Sequence, residues 1–394
     1  MFNIKHILFV VLFISCLQSV QAKPYIPSDD NQVLEKLPTG SKNSNPILLR
    51  KLLKDVKSNP DDIKTVVNFA KSCIELARNE SDPRYLGYAE AILSPLLKKN
   101  NPEVLVLYAT IKQSNHSFNE ALSILDNALK LDPANEQAWL TKAQILTTLG
   151  KYSEAKQCCL HLVTKSNQLA SIACITSAAS LNGSADKSYK LLEQITNTIQ
   201  NTPISNNEKL WTYTLLAEIA TRKGNKTNAE KYYRSALALN PGDKYLLGSY
   251  SDFLLDENKP HEVINLLKNN NKADSLFLRL IIAEKKLNSS ELEKHTNELK
   301  NRFLENNKRG ENIHEREEAV FNLEILNNLD IALDLAQKNW EKQKEPIDAR
   351  IFLRSAISAK KKNAAKPVIE FINKTMIEDI YLNSLVKEIT GANK

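Results

Sequence analysis

The sequence predicts an all-α fold, a right-handed α-solenoid of stacked helical hairpins, and three observations carry that prediction. The 394-residue chain has nine glycines and 7% aromatic residues but abundant Leu, Ala, Lys and Asn, a balance that favours helices over sheets. A hairpin-sized pattern recurs along most of its length. Where the pattern is clearest it repeats every 34 residues, with small residues at fixed places on two successive helices.

Taken in order, the chain opens with a separate segment, residues 1–22. Lys5 and His6 make a polar start, "ILFVVLFISCL" is a short apolar run, and Val20-Gln21-Ala22 supplies small residues before a cut. That pattern reads as a secretory signal peptide cleaved after Ala22, because the apolar run is too short to span a bilayer comfortably. Phe13-Ile14-Ser15-Cys16 fits a lipoprotein cut poorly. Its removal takes one lysine and no acid, so the formal charge falls from +7 to +6. No later stretch is apolar enough to cross a membrane, and the mature protein is expected outside the cytoplasm, periplasmic or secreted. Residues 23–60 follow as a Pro/Ser/Asn-rich N-terminal arm and a lead-in helix.

From 61 to 394 the chain reads as solenoid. Helices near 62–78 and 83–99 form an early pair joined by "NESDP". Next come "HSFNEALSILDNALKLDP" and "GKYSEAKQCCLHLVTKSN", which align without a gap. Phe118 falls on Tyr152, Ala121 on Ala155, Leu125 on Cys159 and Ala128 on Leu162, while Ala109 falls on Ala143 in the preceding helices. Residues 170–209 make a degenerate pair. "GNKTNAEKYYRSALALNP" then restores the pattern through Ala229, Tyr233, Ala236 and Pro241. Further pairs are expected at 244–270, 274–307, 312–343 and 347–375, with a last helix toward 390.

These residues resemble the tetratricopeptide family, most specifically in units 102–135, 136–169 and 210–243. The residue types have a physical reason. Ala109, Ala143 and Ala217 sit where the first helix of a pair nears the second, and Ala121, Ala155 and Ala229 answer them on the second. A larger side chain there would push the helices apart. Tyr152 and Tyr233 fill the remaining gaps, and Pro133 and Pro241 stop the second helices. No pair can bury its two apolar faces alone, so neighbours must stack. "DPRYLGYAEA", "YLLGSYSDFLL", "RGENIHEREEAVF" and "NWEKQKEPIDAR" add a closer likeness, to an uncharacterised group of exported bacterial tetratricopeptide proteins. That likeness implies export and one elongated solenoid, and it supplies no substrate. Six Asn-X-Ser/Thr sequons are what an Asn-rich chain generates by chance.

No catalytic signature emerges, neither a phosphate loop, a nucleophile elbow, an HExxH nor a zinc-type cysteine spacing. His314 and Glu318, four apart in "NIHEREEAVF", are the nearest approach to metal chemistry. Two ligands are too few for a site, and a capping box from Asn312 to Glu315 accounts for the stretch. No metal and no cofactor are expected. His161 and His295 read as surface residues among Lys and Glu. Lysine pairs scattered among acids make solvated faces rather than a nucleic-acid stripe.

Four cysteines remain in the mature chain. Cys159 takes the inward slot that Leu125 and Tyr233 fill elsewhere, and Cys174 stands at a similar height on the next helix. In an oxidising compartment this favours a disulfide, whose 15-residue loop would stabilise by roughly 3 kcal/mol; the alternative is two small buried apolar residues. Cys158 points about 100° away and is expected to be more exposed.

The resemblance implies a partner-binding groove lined by the first helices. In this sequence it points to Thr110 and Gln113; Leu140, Gln144 and Thr147; Trp211, Thr214, Glu218 and Arg222; and Tyr245 and Asp252. The Lys/Asn set of the carboxylate-clamp subfamily is missing. Trp211 and Tyr245 are the expected anchors, packing between helices being the alternative. The expected function is a non-catalytic exported scaffold or adaptor binding another envelope protein, with no nucleic-acid partner. A glycan-handling or thiol-redox accessory protein is the alternative.

Overall fold

A computed structural model describes residue 29 and residues 46–163, 168–198, 204–308 and 314–391. The signal peptide expected at 1–22, nearly all of the arm and Asn312 lie outside the described residues. Twenty α-helices and no strand occur among those described, which gives an all-α helical repeat solenoid.

A lead-in helix α1 (Pro46–Ser58) is followed by nine hairpins. They are α2 (Ile63–Glu80) with α3 (Arg84–Leu93), α4 (Pro102–Ser114) with α5 (Phe118–Leu131), and α6 (Glu136–Thr148) with α7 (Tyr152–Leu160). Then come α8 (Gln168–Ser180) with α9 (Ala185–Thr198), α10 (Asn206–Arg222) with α11 (Lys226–Leu239), and α12 (Lys244–Asp256) with α13 (Pro260–Leu267). The last are α14 (Asp274–Lys286) with α15 (Leu292–Lys308), α16 (Glu315–Phe321) with α17 (Leu329–Lys342), and α18 (Pro346–Ser358) with α19 (Lys366–Thr375). Helix α20 (Ile380–Thr390) ends the row. Two boundaries differ from the sequence reading. Helix α2 runs on to Glu80, so its connection to α3 is as short as the others. Helix α10 begins at Asn206 because Ser205 and Glu208 close a reciprocal capping box there.

The pattern of small residues explains the stacking. Ala109, Ala121, Ala155, Ala217 and Ala229 are completely buried and Ala143 nearly so, which lets the paired helices approach closely. Second helices end at Asx–Pro steps: Asp132 and Asn240 accept from the amides of Ala134 and Gly242, turning the chain before the next helix. First helices then start on side-chain caps, Asn101 for α4, Asn135 for α6 and Asp243 for α12.

Each hairpin turn carries one residue in the left-handed region, Ser81, His116, Gly150, Gly183, Gly224, Asn258, Asn288, Asn327 and Lys360. A single such residue ends the first helix and reverses the chain. First helices touch the first helices of neighbouring units along the row, whereas second helices make no comparable contacts. The first helices therefore form the inner, concave wall, and the second helices splay outward.

The superhelix closes on itself. Lys272 pairs with Glu80 at 3.4 Å. Two units on, the Lys344 amide donates to the Thr148 carbonyl at 2.7 Å, and the Tyr152 hydroxyl donates to the Lys344 carbonyl at 3.2 Å. Further on, the Ala185 amide donates to Glu378 Oε1 at 3.1 Å. The Glu80–Lys272, Tyr152–Lys344 and Ala185–Glu378 contacts, with Thr148–Glu345, join residues 192 to 197 positions apart, between five and six units of 34. Along this seam, loops between late units sit on hairpin turns of early ones. Gly150 faces Phe371, Gly183 faces Met376 and Gly224 faces Ile380; a Cβ at Gly150 would lie 2.6 Å from the Phe371 ring. Farther along, Arg350 forks onto Asp256 and lies over the Tyr381 ring.

Candidate binding groove

The concave wall from α10 to α18 carries a connected set of polar side chains. Helix α10 presents Glu218 and Arg222 one turn apart. Glu218 accepts from Ser249 Oγ of α12 at 3.0 Å. Tyr233 on α11 reaches Ser249 Oγ at 2.8 Å, so buried and groove-facing polar groups form one chain. Burial raises the Glu218 carboxyl above its ordinary range, against the nearby Tyr245 hydroxyl, the Ser249 hydrogen bond and the charge of Arg222. The nearby Glu218 charge and burial push the Tyr245 phenol well up in turn. Tyr245 nevertheless keeps 66% of its surface open, the most exposed large apolar side chain among those described.

One unit on, Arg279 forks onto Asp252 with contacts of 2.8 and 2.6 Å. Arg316 on α16 then bridges two units. Its Nε and Nη2 donate to Asp348 at 2.6 and 2.9 Å, and Nη2 also reaches Glu345 at 2.6 Å. Asp348 is sealed from solvent and accepts from Asn339 as well. Burial pushes its carboxyl up to about 6 even with Arg316 beside it. Across the seam these charges reach the turn after α4, where burial and the Arg316 charge hold His116 below its ordinary range.

Residues expected to line the groove fall into three groups. Glu218, Arg222, Tyr245 and Asp252 lie on α10 and α12, with Glu218 held by Ser249, Asp252 by Arg279, and Arg222 donating to Ser180 Oγ at 2.9 Å. Gln113, Leu140 and Gln144 lie on α4 and α6 with partial or full exposure. The threonines need correction. Thr110 and Thr214 are buried, and with Thr147 they donate to the carbonyl four residues back in their own helix, which removes their hydroxyls from the groove. Trp211 is half-buried and packs against two core clusters, the role of a filler. The sequence reading did not single out Arg279, Arg316, Glu345 and Asp348, which lie on weaker repeats. The one cue was an i, i+3 Glu–Asp pair opening α18.

Cys159 and Cys174 are joined in a disulfide with Cα atoms 5.5 Å apart, tying α7 to α8. Cys158, expected to be exposed, is instead buried, because it faces the contact of α7 with α6 beside Leu146 and Trp139; burial raises its thiol. His295 is also not a surface residue. Its Nδ1 lies 2.9 Å from buried Glu284 and its ring packs edge-on to Phe277. His161 is exposed and stacks on Trp139 at 3.9 Å. Among the described residues no three His, Cys, Asp or Glu gather into a metal-ligand set. No described helix is long and apolar enough to cross a membrane.

Stacked hairpins with an inward row of first helices define a repeat scaffold. Tetratricopeptide repeat family profiles match residues 113–169 and 212–243. The chain thus carries tetratricopeptide repeats at these two stretches, and such repeats point to a scaffold for protein–protein interaction. No curated protein matches it. Among solved structures, a tetratricopeptide repeat protein from Parabacteroides merdae ATCC 43184 is 12% identical, covering 78% of this chain and 98% of that one, with a TM-score of 0.37. The human IFIT1 dimer with PPP-AAAA is also 12% identical, covering 84% of this chain and 77% of that one, with a TM-score of 0.47.

Proposed function

We propose that this chain is a non-catalytic scaffold that holds a segment of a partner protein on its concave wall, and that it works after export, in the cell envelope. The observation that carries the binding reading is Tyr245. A phenol 66% open to solvent, one helical turn from Ser249, whose hydroxyl bonds Glu218 of the neighbouring unit, stands free for contact rather than spent on packing. Export rests on the first 22 residues alone. A thiol-redox role gains little support from a buried Cys158 with a raised thiol.

Site-specific photocrosslinking in intact cells tests the binding reading. A benzophenone side chain placed at Tyr245 is expected to trap one partner reproducibly, and the same group at exposed Lys231 on the outer helix α11 is not. Adducts only from Lys231 would move binding off the groove. For export, the purified protein should begin at Lys23; an intact start at Met1 in the cytoplasmic fraction would refute it.

A further inference from the structure

The chain holds two methionines, Met1 and Met376. Met1 opens the segment proposed above to be removed on export, which leaves Met376 as the single thioether of the mature chain. Its position runs against both of the usual reasons for an apolar side chain. It is not buried, since 62% of its surface is open. Nor does the backbone favour it. Met376 caps α19 at φ +56°, its amide bonded to the Ile372 carbonyl, a place that suits glycine or asparagine. The other non-glycine residues in the left-handed region, among those described, are Ser, Asn, His or Lys; Met376 alone is apolar.

What the side chain does is close the seam at its middle contact. It folds over Gly183, in the turn between α8 and α9, so that a Cβ on that glycine would lie 3.2 Å from Met376 Cβ and 3.4 Å from Cε. Cε is bonded directly to the sulfur, so the thioether lies at this contact on a residue that solvent reaches. Close in sequence are Leu181 and Ile377, both buried in one core cluster that spans the seam. So is the Ala185 amide, which donates to Glu378 Oε1 at 3.1 Å.

We infer that Met376 is a modification site, an oxidant-sensitive clasp on the seam. A two-electron oxidant of the peroxide or hypohalous-acid class converts its thioether to the sulfoxide. With hydrogen peroxide the O–O bond breaks, one oxygen bonds to a sulfur lone pair, and the other leaves as water. The thioether loses two electrons and the peroxide gains them. The product is polar and chiral, and it draws water to a side chain that had lain against a glycine. The turn of unit 4 then loses its apolar hold on the loop after α19, and the Ala185–Glu378 bond beside it opens more readily. The free thiols do not compete, because Cys73 and Cys158 are both buried. This inference stands on the seam and is independent of the groove reading.

The test treats the full chain with hydrogen peroxide and locates the product by peptide mass spectrometry. Hydrogen–deuterium exchange is followed over residues 181–190 and 376–386, with 276–283 on α14 as the control. Met376 is expected to gain one oxygen at close to the rate of a free methionyl peptide in the same solution. Exchange in both seam segments should then rise at least threefold with the control unchanged. Methionine sulfoxide reductases for both epimers should restore it. Met376→Gln, polar and of similar length, should show the faster exchange without oxidant. Met376→Leu, apolar and inert to peroxide, should keep the parent's slow exchange before and after treatment. A Met376 left unoxidised while the free peptide is consumed would overturn the site. Sulfoxide formation with unchanged exchange would overturn the clasp, as would a Gln variant that exchanges like the parent. An equal rise in peroxide-treated Met376→Leu would place the cause elsewhere and overturn the assignment.

Discussion

Gly150→Ala probes the seam with a magnitude that the structure supplies. Gly150 sits at φ +74°, and its missing Cβ would lie 2.6 Å from two carbons of the Phe371 ring and 3.3 Å from Lys344 Cβ. An L-residue in the left-handed region costs about 1–2 kcal/mol. Phe371 has little room to retreat, since its ring meets Trp340 edge-on at 5.2 Å and Tyr152 at 6.0 Å. Forcing a methyl against it should add about 1–3 kcal/mol of overpacking. The total is about 2–4 kcal/mol, read as a lower urea midpoint by far-UV circular dichroism. In a Phe371→Ala background the overlap disappears and only the backbone term remains, so the two substitutions should couple by about 1–3 kcal/mol. Additivity within about 0.5 kcal/mol would show that residues 150 and 371 do not meet, and the closed seam would fall with that contact.

Three further predictions address the disulfide, the buried pair and the groove carboxylate. Cys159→Ser should lower stability by about 3 kcal/mol under oxidising conditions and change little under reduction; free thiols at both positions by mass spectrometry would refute the bridge. Asp348→Ala strands Arg316, which keeps only Glu345, and should cost about 3 kcal/mol in chemical denaturation, whereas a loss under about 1 kcal/mol would refute the pairing. Glu218 has a raised folded-state pKa, so the native chain binds its proton more readily than the unfolded one. Its ionisation therefore lowers stability as pH rises from the ordinary carboxylate range through the folded value. Glu218→Gln should unfold at pH 7 no earlier than the parent; a clearly lower midpoint would contradict that sign.

Much of the architecture was legible because a 34-residue period writes itself into residue size. Alanine at helix crossings, Asx–Pro after second helices and caps before first ones are local signals, and local signals survive in a sequence. The groove was half legible for a physical reason. Register placed Thr110, Thr147 and Thr214 on inward helices, but it says nothing of where a hydroxyl donates, and all three donate back into their own helix. Cys158 misled because a helix in the middle of a stack is covered on more than one side. The seam had no periodic trace, joining residues nearly two hundred positions apart. Its one mark is compositional. Of nine left-handed turn residues, only the three in units 3 to 5 are glycine, and at each of them a later side chain stands where a Cβ would go.

That seam also constrains how the gene can vary. Solenoids whose units meet only their neighbours gain or lose a unit at little cost, since each addition merely lengthens the rod. Here an inserted or deleted 34-residue unit between residues 185 and 344 would carry every later loop one step past its turn. Phe371 would miss Gly150, and Glu378 would miss the amide of Ala185. The count of units within one circuit is therefore specified like the number of staves in a barrel. Length variation is permitted ahead of the first seam contact or beyond the last, but not between them.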